Sequence, residues 1–382
     1  MKKVFAMVMA AMMVVAMMAG CASSGNGSSD GVIKIGTMGP LTGDYAVYGK
    51  AVEYGLKLAF EEINALGGLQ FEVNVQDDAA DGEKAVNAYN NLMDWGMQIM
   101  AGPTTSGAAA AVAAECVNDG VFMLTPSASD ASVIAAGDNV FQICFSDPNQ
   151  GRASAGYIHS HDLATAVGVI YDSSNAYSAG IFDTFKAQAE SIGLNIACVE
   201  AFTSSSSSDL STQVTKCKEA GCDLVFLPIY TAEAARILTC AANMGYTPKF
   251  FGCDGLDGIL GVENFDPALA EGVMLLTPFD ATSADEKTQA FIKNYTEKYG
   301  IAPNQFAADA YDVAYAIYQA CMDCGITADT SAEEVNDLMV AWFTSHSFDG
   351  ITGASMTWGT DGAVSKYPMA VKIENGAYVG AE

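Results

Sequence analysis

The sequence predicts an α/β fold of two lobes, each a parallel sheet flanked by helices, and three observations lead there. The 382 residues ask for two domains at roughly 150 residues apiece. Hydrophobic residues make up 51% and charged ones only 16%, with a mean hydropathy of +0.20, a composition that packs cores rather than staying disordered. Short β-branched runs alternate with longer helical ones, and the rhythm restarts once part-way along the chain.

The elements read in order. Residues 32–36 (VIKIG) form a strand, followed by a Gly/Pro-rich turn and a helix from Tyr48 to Leu66 that Gly67 and Gly68 end. Phe71 to Gln76 alternates as a strand and Gly82 to Trp95 carries helical periodicity. Ile99 to Ala101 is a strand, Ser106 to Asn118 a helix and Val121 to Leu124 a strand. Repeated β–α–β units with short connections give a parallel sheet covered on both faces. Phe145 to Gly151 reads as a non-helical break. Strands then fall at 166–171, 196–202, 224–228 and 250–252, and helices at 179–192, 210–220 and 232–244. Beyond Asp280 come helices at 288–299, 307–321 and 332–342. Residues 354–358 and 370–373, with the turn Gly359 to Gly362 between them, read as a terminal β-ribbon. This tail is too short for a third α/β domain, so it completes the two lobes and the chain crosses between them more than once.

The first twenty residues stand apart. Lys2 and Lys3 precede an apolar or small run from Val4 to Gly20, the pattern of a secretory signal, with an uncleaved anchor as the other reading. The signal ends Met18-Ala19-Gly20-Cys21 and resembles a bacterial lipobox, which implies a lipid on Cys21 and departs from the usual pattern in carrying Met18 where Leu is common. Residues 22–31 are a Gly/Ser-rich tether. No apolar run after residue 20 reaches the roughly 18–20 residues that span a bilayer.

Lys and Arg number 17 against 45 Asp and Glu, a formal charge of −28, which repels phosphate backbones and argues against nucleic acid as a partner. Besides Cys21 there are nine cysteines, an odd number that leaves at least one thiol free. Cys321 and Cys324 have CxxC spacing, but late in a helix rather than at its start, where the dipole would favour the thiolate. Most of the cysteines read as small buried hydrophobes. His159 and His161 lack a third ligand, and the stretch 43–50 (GDYAVYGK) misses the P-loop spacing by one residue and its Ser/Thr as well. No HExxH, GxSxG or EF-hand pattern occurs, so neither catalysis nor a metal or cofactor is expected. What the chain does offer is small polar groups where strands feed helices. Residues 102–107 (GPTTSG) and 125–129 (TPSAS) bring hydroxyls and open amides to strand carboxyl ends, where α/β sheets bind ligands. Ordinary helix caps are the alternative reading.

Residues 33–36 (IKIG), 40–43 (PLTG), Tyr48-Gly49, 62–68 (EINALGG), 76–78 (QDD), 122–129 (FMLTPSAS) and 308–312 (ADAYD) together resemble the leucine/isoleucine/valine-binding family of ABC-transporter substrate-binding proteins, over about residues 32–375. The resemblance implies a two-lobed type I periplasmic binding protein, a Venus flytrap with crossovers near residues 147, 279 and 353. The first lobe is then 32–147 plus 279–352, and the second 148–278 plus 353–382. It implies, residue by residue, that Ser106 and Ser129 take the α-carboxylate of an amino acid and that the backbone at Ser127 serves carboxylate and ammonium. Asp254 takes the ammonium with Tyr230 beside it, and Tyr48, Tyr177 and Phe306 line the side-chain pocket. Inter-lobe packing is the alternative reading of the tyrosines. Where relatives carry a disulfide, this chain has Ala80 and Thr105. Thr104 and Thr105 make that wall more polar than a leucine site favours. The expectation is a monomeric lipoprotein, outside the cytoplasm and held to the membrane by its lipid anchor, that hands a branched-chain or related amino acid to an ABC permease with its ATPases. The alternatives are the same fold binding an amide, urea or aromatic acid, and a ligand sensor for a signalling partner.

Overall fold

The computed structural model describes residues 31–381; the signal, Cys21 and all but the last residue of the tether lie outside that range. The first lobe opens with β1 (Ile33–Gly39), α1 (Ala46–Ala65), β2 (Phe71–Asp77), α2 (Gly82–Trp95), β3 (Ile99–Met100), α3 (Ser106–Asp119), β4 (Met123–Thr125), the short α4 (Ala131–Ile134) and β5 (Val140–Gln142). Its sheet is parallel in the order β2-β1-β3-β4-β5. Alternate strand residues supply opposite faces. Ile33, Ile35, Ile99, Phe122 and Leu124 enter one core, while Met38, Met100 and Met123 enter the other, beneath α2 and α3.

The second lobe runs α5 (Asp147–Ser160), β6 (Val167–Asp172), α6 (Ala176–Ile192), β7 (Ile196–Phe202), α7 (Ser211–Glu219), β8 (Leu224–Leu227), α8 (Thr231–Asn243), β9 (Lys249–Gly252) and β10 (Met274–Thr277). The chain then returns to the first core through α9 (Glu286–Tyr299), α10 (Gln305–Cys324), α11 (Ala332–Phe343) and a small ribbon, β11 (Ser347–Phe348) with β12 (Met356–Thr357). A hairpin, β13 (Met369–Glu374) and β14 (Ala377–Gly380), finishes the second sheet, whose order is β14-β13-β10-β9-β8-β6-β7. The hairpin is antiparallel and the rest parallel.

Three sequence expectations change. The break at 145–151 is helical from Asp147, because Ser146 takes the N-cap position and Pro148 falls in the first turn, where its missing N–H costs no hydrogen bond. The terminal ribbon does not exist, since β12 and β13 belong to different sheets. The third passage between lobes comes after Lys366 rather than near residue 353. The reason is a dock on β5: Trp358 Nε1 donates to the Gln142 carbonyl at 2.8 Å and Gln142 N–H donates to the Gly362 carbonyl at 3.1 Å. Gly362 has φ of 76°, and a Cβ there would lie 2.1 Å from the Val140 carbonyl oxygen. With Met356, Trp358 and Val364 in the first core, residues 353–366 belong to the first lobe.

Six of the nine cysteines are buried, and all nine are free thiols. Cys321 and Cys324 close α10, and burial pushes both thiols up. Among the described residues no group of His, Cys, Asp or Glu could hold a metal ion, and no helix is long and apolar enough to cross a membrane. His161 stacks on Tyr157 with ring centroids 3.9 Å apart.

Candidate functional site

Helix N-termini and strand carboxyl ends from both lobes converge on one small cavity. Its walls are Tyr48, Thr104, Thr105, Ser106, Ser127 and Phe306 from the first lobe and Tyr177, Tyr230, Asp254 and Gly255 from the second. Ser106 opens α3, Tyr177 and Phe306 lie in the first turns of α6 and α10, and Tyr230 precedes α8. Except for Phe306, whose helix follows another helix, these placements follow from chain connectivity, since every β–α connection in a parallel sheet emerges at the same edge. Helix N-termini also bring partial positive charge to the site.

The one carboxylate in the cavity wall is Asp254. Tyr177 Oη donates to its Oδ1 at 2.6 Å and accepts from Gly255 N–H at 2.9 Å. Gln150 Oε1 accepts from Asp254 N–H at 3.0 Å, and Gln305 Nε2 donates to the Asp254 carbonyl at 2.9 Å. Burial pushes the Asp254 carboxyl up to about 7, against the pull of the Tyr177 and Gln150 hydrogen bonds and with Asp309 adding repulsion. At neutral pH the group is therefore poised to be ionised by an incoming cation.

The opposite wall carries donors. Ser106 Oγ accepts from Asp130 N–H at 3.3 Å and keeps its own proton available. Thr105, the N-cap residue of α3, makes no capping bond with its side chain, so the first-turn amides are not consumed by it. Ser127 Oγ donates to the Thr104 carbonyl at 2.6 Å, which ties the two loops together. Between the walls stand aromatic rings: Tyr177 and Tyr230 are stacked 4.9 Å apart, and Tyr48 meets Phe306 edge-on at the same separation.

Seven of the eight residues assigned by resemblance line this cavity. Ser129 does not. It is fully buried, its hydroxyl has no hydrogen-bond partner among the described residues, and its carbonyl accepts from Asp147 N–H at 3.0 Å, at the first passage between lobes.

A profile of periplasmic binding proteins matches residues 32–377. A "Leu/Ile/Val-binding protein homolog 3" of Brucella melitensis is 30% identical, over 78% of this chain and 81% of the relative. The chain belongs to the leucine/isoleucine/valine-binding family of periplasmic binding proteins. A Pseudomonas aeruginosa relative, the leucine-, isoleucine-, valine-, threonine-, and alanine-binding protein, is 28% identical over 75% of this chain and 76% of its own. Among solved structures, the branched-chain amino acid transporter substrate-binding protein LivJ of Streptococcus pneumoniae, in complex with isoleucine, superposes with a TM-score of 0.83. It is 29% identical, with 92% of this chain and 99% of that one covered. The architecture is the type I periplasmic binding protein fold, and the family implies an extracytoplasmic location.

Several contacts of this binding protein that organise the cavity escape sequence reasoning. Tyr48 Oη donates to the Gly255 carbonyl at 2.6 Å and accepts from Thr231 N–H at 2.7 Å, so one phenol joins the lobes at two points. Gln305 N–H donates to Asp257 Oδ2 at 2.8 Å. Outside the cavity, Tyr45 donates to Glu233 at 2.8 Å and Arg236 pairs with Asp44, again across the cleft. Gln150 is hidden inside the stretch read as a break; the Ser146–Pro148 helix start was the signal for it.

Proposed function

We propose that this chain is the extracytoplasmic substrate-binding lipoprotein of an ABC importer. It captures a branched-chain or related amino acid between its lobes and delivers it to the permease and its ATPases without chemical change. One arrangement carries the reading: a buried carboxylate, Asp254, stands across a small cavity from the Ser106 hydroxyl at the start of α3. A zwitterion needs an acceptor for its ammonium and donors for its carboxylate at fixed separation. Because Asp254 and Ser106 belong to different lobes, only the closed form serves both ends, and that difference in affinity drives closure. The names of the relatives agree with this ligand class. Cys21 would carry the lipid that keeps the protein at the membrane.

A second reading, an aromatic acid, is favoured by the ring cluster of Tyr48, Tyr177, Tyr230 and Phe306. Thermal unfolding against the amino acids, simple amides and aromatic acids separates the two. A ligand at about 100 times its Kd stabilises by about 2.7 kcal/mol, a shift of several degrees. An aliphatic or related amino acid should give that shift, and Asp254→Asn should remove it. A shift from an aromatic acid alone, unchanged in Asp254→Asn, would sink the amino-acid reading.

A further inference from the structure

Most hydroxyls in the cavity wall are already committed to the protein. Tyr48 Oη donates to the Gly255 carbonyl and Tyr177 Oη to Asp254, and each also accepts a backbone N–H. Ser127 Oγ donates to the Thr104 carbonyl, and Thr104 Oγ1 donates to the Met38 carbonyl at 3.1 Å. Thr105 differs. The residue is 6% exposed, it lines the cavity, and its hydroxyl has no hydrogen-bond partner among the described residues. A threonine in the N-cap position ordinarily bonds back to an amide of its own first turn, and this one does not. Buried hydroxyls are almost always paired, so an unmet one in the wall of a binding cavity is a demand placed on the ligand.

The ligand carboxylate does not need it. The next residue, Ser106, offers a hydroxyl proton, and α3 adds its open first-turn amides and partial positive charge. The ammonium is served by Asp254 on the other lobe. What is left for Thr105 is the part of the ligand beyond its α-carbon, which the rings of Tyr48 and Phe306 confine.

We propose that the Thr105 hydroxyl reads a hydroxyl on a short ligand side chain, so that this protein prefers a β-hydroxy amino acid to its aliphatic isostere. The inference rests on the amino-acid reading of the cavity. A site that pairs a ligand hydroxyl rejects the analogue lacking it, because the buried group is left unmatched.

Threonine and valine are the matched probes, equal in shape with a hydroxyl exchanged for a methyl. Calorimetric titration of the wild-type protein should show threonine binding at least about tenfold more tightly than valine. Thr105→Val should weaken threonine by about tenfold and leave valine unchanged or tighter, and Thr105→Ser should keep the preference. Valine, or a longer aliphatic amino acid, binding the wild type as tightly as threonine overturns the inference while the amino-acid reading stands. So does an equal loss for threonine and valine in Thr105→Val, which would return the hydroxyl to the carboxylate. If no amino acid binds while an amide or aromatic acid does, and Asp254→Asn binds it normally, the amino-acid reading fails and this inference with it. The wild-type comparison and Thr105→Ser decide the matter even if Thr105→Val does not fold.

Discussion

Lys366 is a lysine with almost no exposure, and its ammonium lies 2.6 Å from Asp309 Oδ1 and 2.6 Å from Thr352 Oγ1. Asp312, one turn further along α10, accepts the N–H groups of Ile351 and Thr352. Lys366 thus pairs directly with Asp309 and is linked to Asp312 through the Thr352 hydroxyl, just before the chain makes its last passage between lobes. Burial pushes Asp309 up to about 6 even with Lys366 beside it. Lys366→Met should cost about 3–5 kcal/mol at neutral pH, because it strands buried charge. Asp309 keeps its proton in the folded wild type up to about pH 6 and, with Lys366 gone, to a higher pH still, so the added penalty of the variant sets in only as pH rises above about 6. Urea unfolding should therefore show the variant losing less stability at pH 5 than at pH 7.5, and equal losses at the two pH values would refute the charge argument. Neither partner was legible in the sequence: Asp309 and Lys366 are 57 positions apart, and only folding makes them neighbours.

At the scale of elements, α1 and α10 pack with almost nothing between them. A Cβ at Gly55 would sit 2.2 Å from the Ala307 carbonyl oxygen and 3.0 Å from the Ala310 methyl. That close approach sets the first-turn residues of α10, Gln305 and Phe306, against the cleft. Gly55→Ala should destabilise by about 1–3 kcal/mol through overpacking, despite alanine's better helix propensity. A rise in melting temperature would show that the helices separate at no cost. The helices and strands themselves were mostly legible, because period-3.6 and period-2 patterns survive wherever one face is buried. The helix beginning at Asp147 was not, since a proline near a helix start looks like a breaker until the cap before it is recognised. Likewise strand identity was readable but strand partnership was not. Residues 356–357 and 369–374 look alike in sequence and pair in different sheets.

For the whole molecule, the consequence of burying Asp254 is a pH-dependent affinity. With its carboxyl raised to about 7 and Asp147 and Asp309 nearby, the group must release a proton before it can hold an ammonium. Ligand affinity should rise about tenfold from pH 6 to pH 8, the ratio of ionised fractions for one carboxyl titrating at about 7. Stability of the unliganded protein should move the other way, since the folded state holds this proton while the unfolded chain does not. Titration calorimetry across that range in buffers of different ionisation enthalpy would also register the proton released. An affinity flat from pH 6 to 8 would mean that Asp254 does not face the ligand's ammonium. The lobes also touch directly, through Tyr48 with Gly255 and Tyr45 with Glu233, so closure does not rest on the ligand alone.

The α/β class, the two lobes, nearly all the helices and the loops that bear the cavity are legible in the order of residues. These depend on local periodicity and on the rule that parallel sheets present their connections at one edge, both of which are written in consecutive residues. Six of the residues expected at the site stand around one cavity because β–α connectivity carries them there, and Phe306 joins them through the packing of α10 on α1. Folding in three dimensions settles that the Ser129 carbonyl takes the Asp147 N–H, that residues 353–366 stay with the first lobe, and that Thr105 keeps an unpaired hydroxyl. Each of these turns on whether a polar group finds a partner far along the chain. Burial makes that choice energetically decisive, and no local pattern records it.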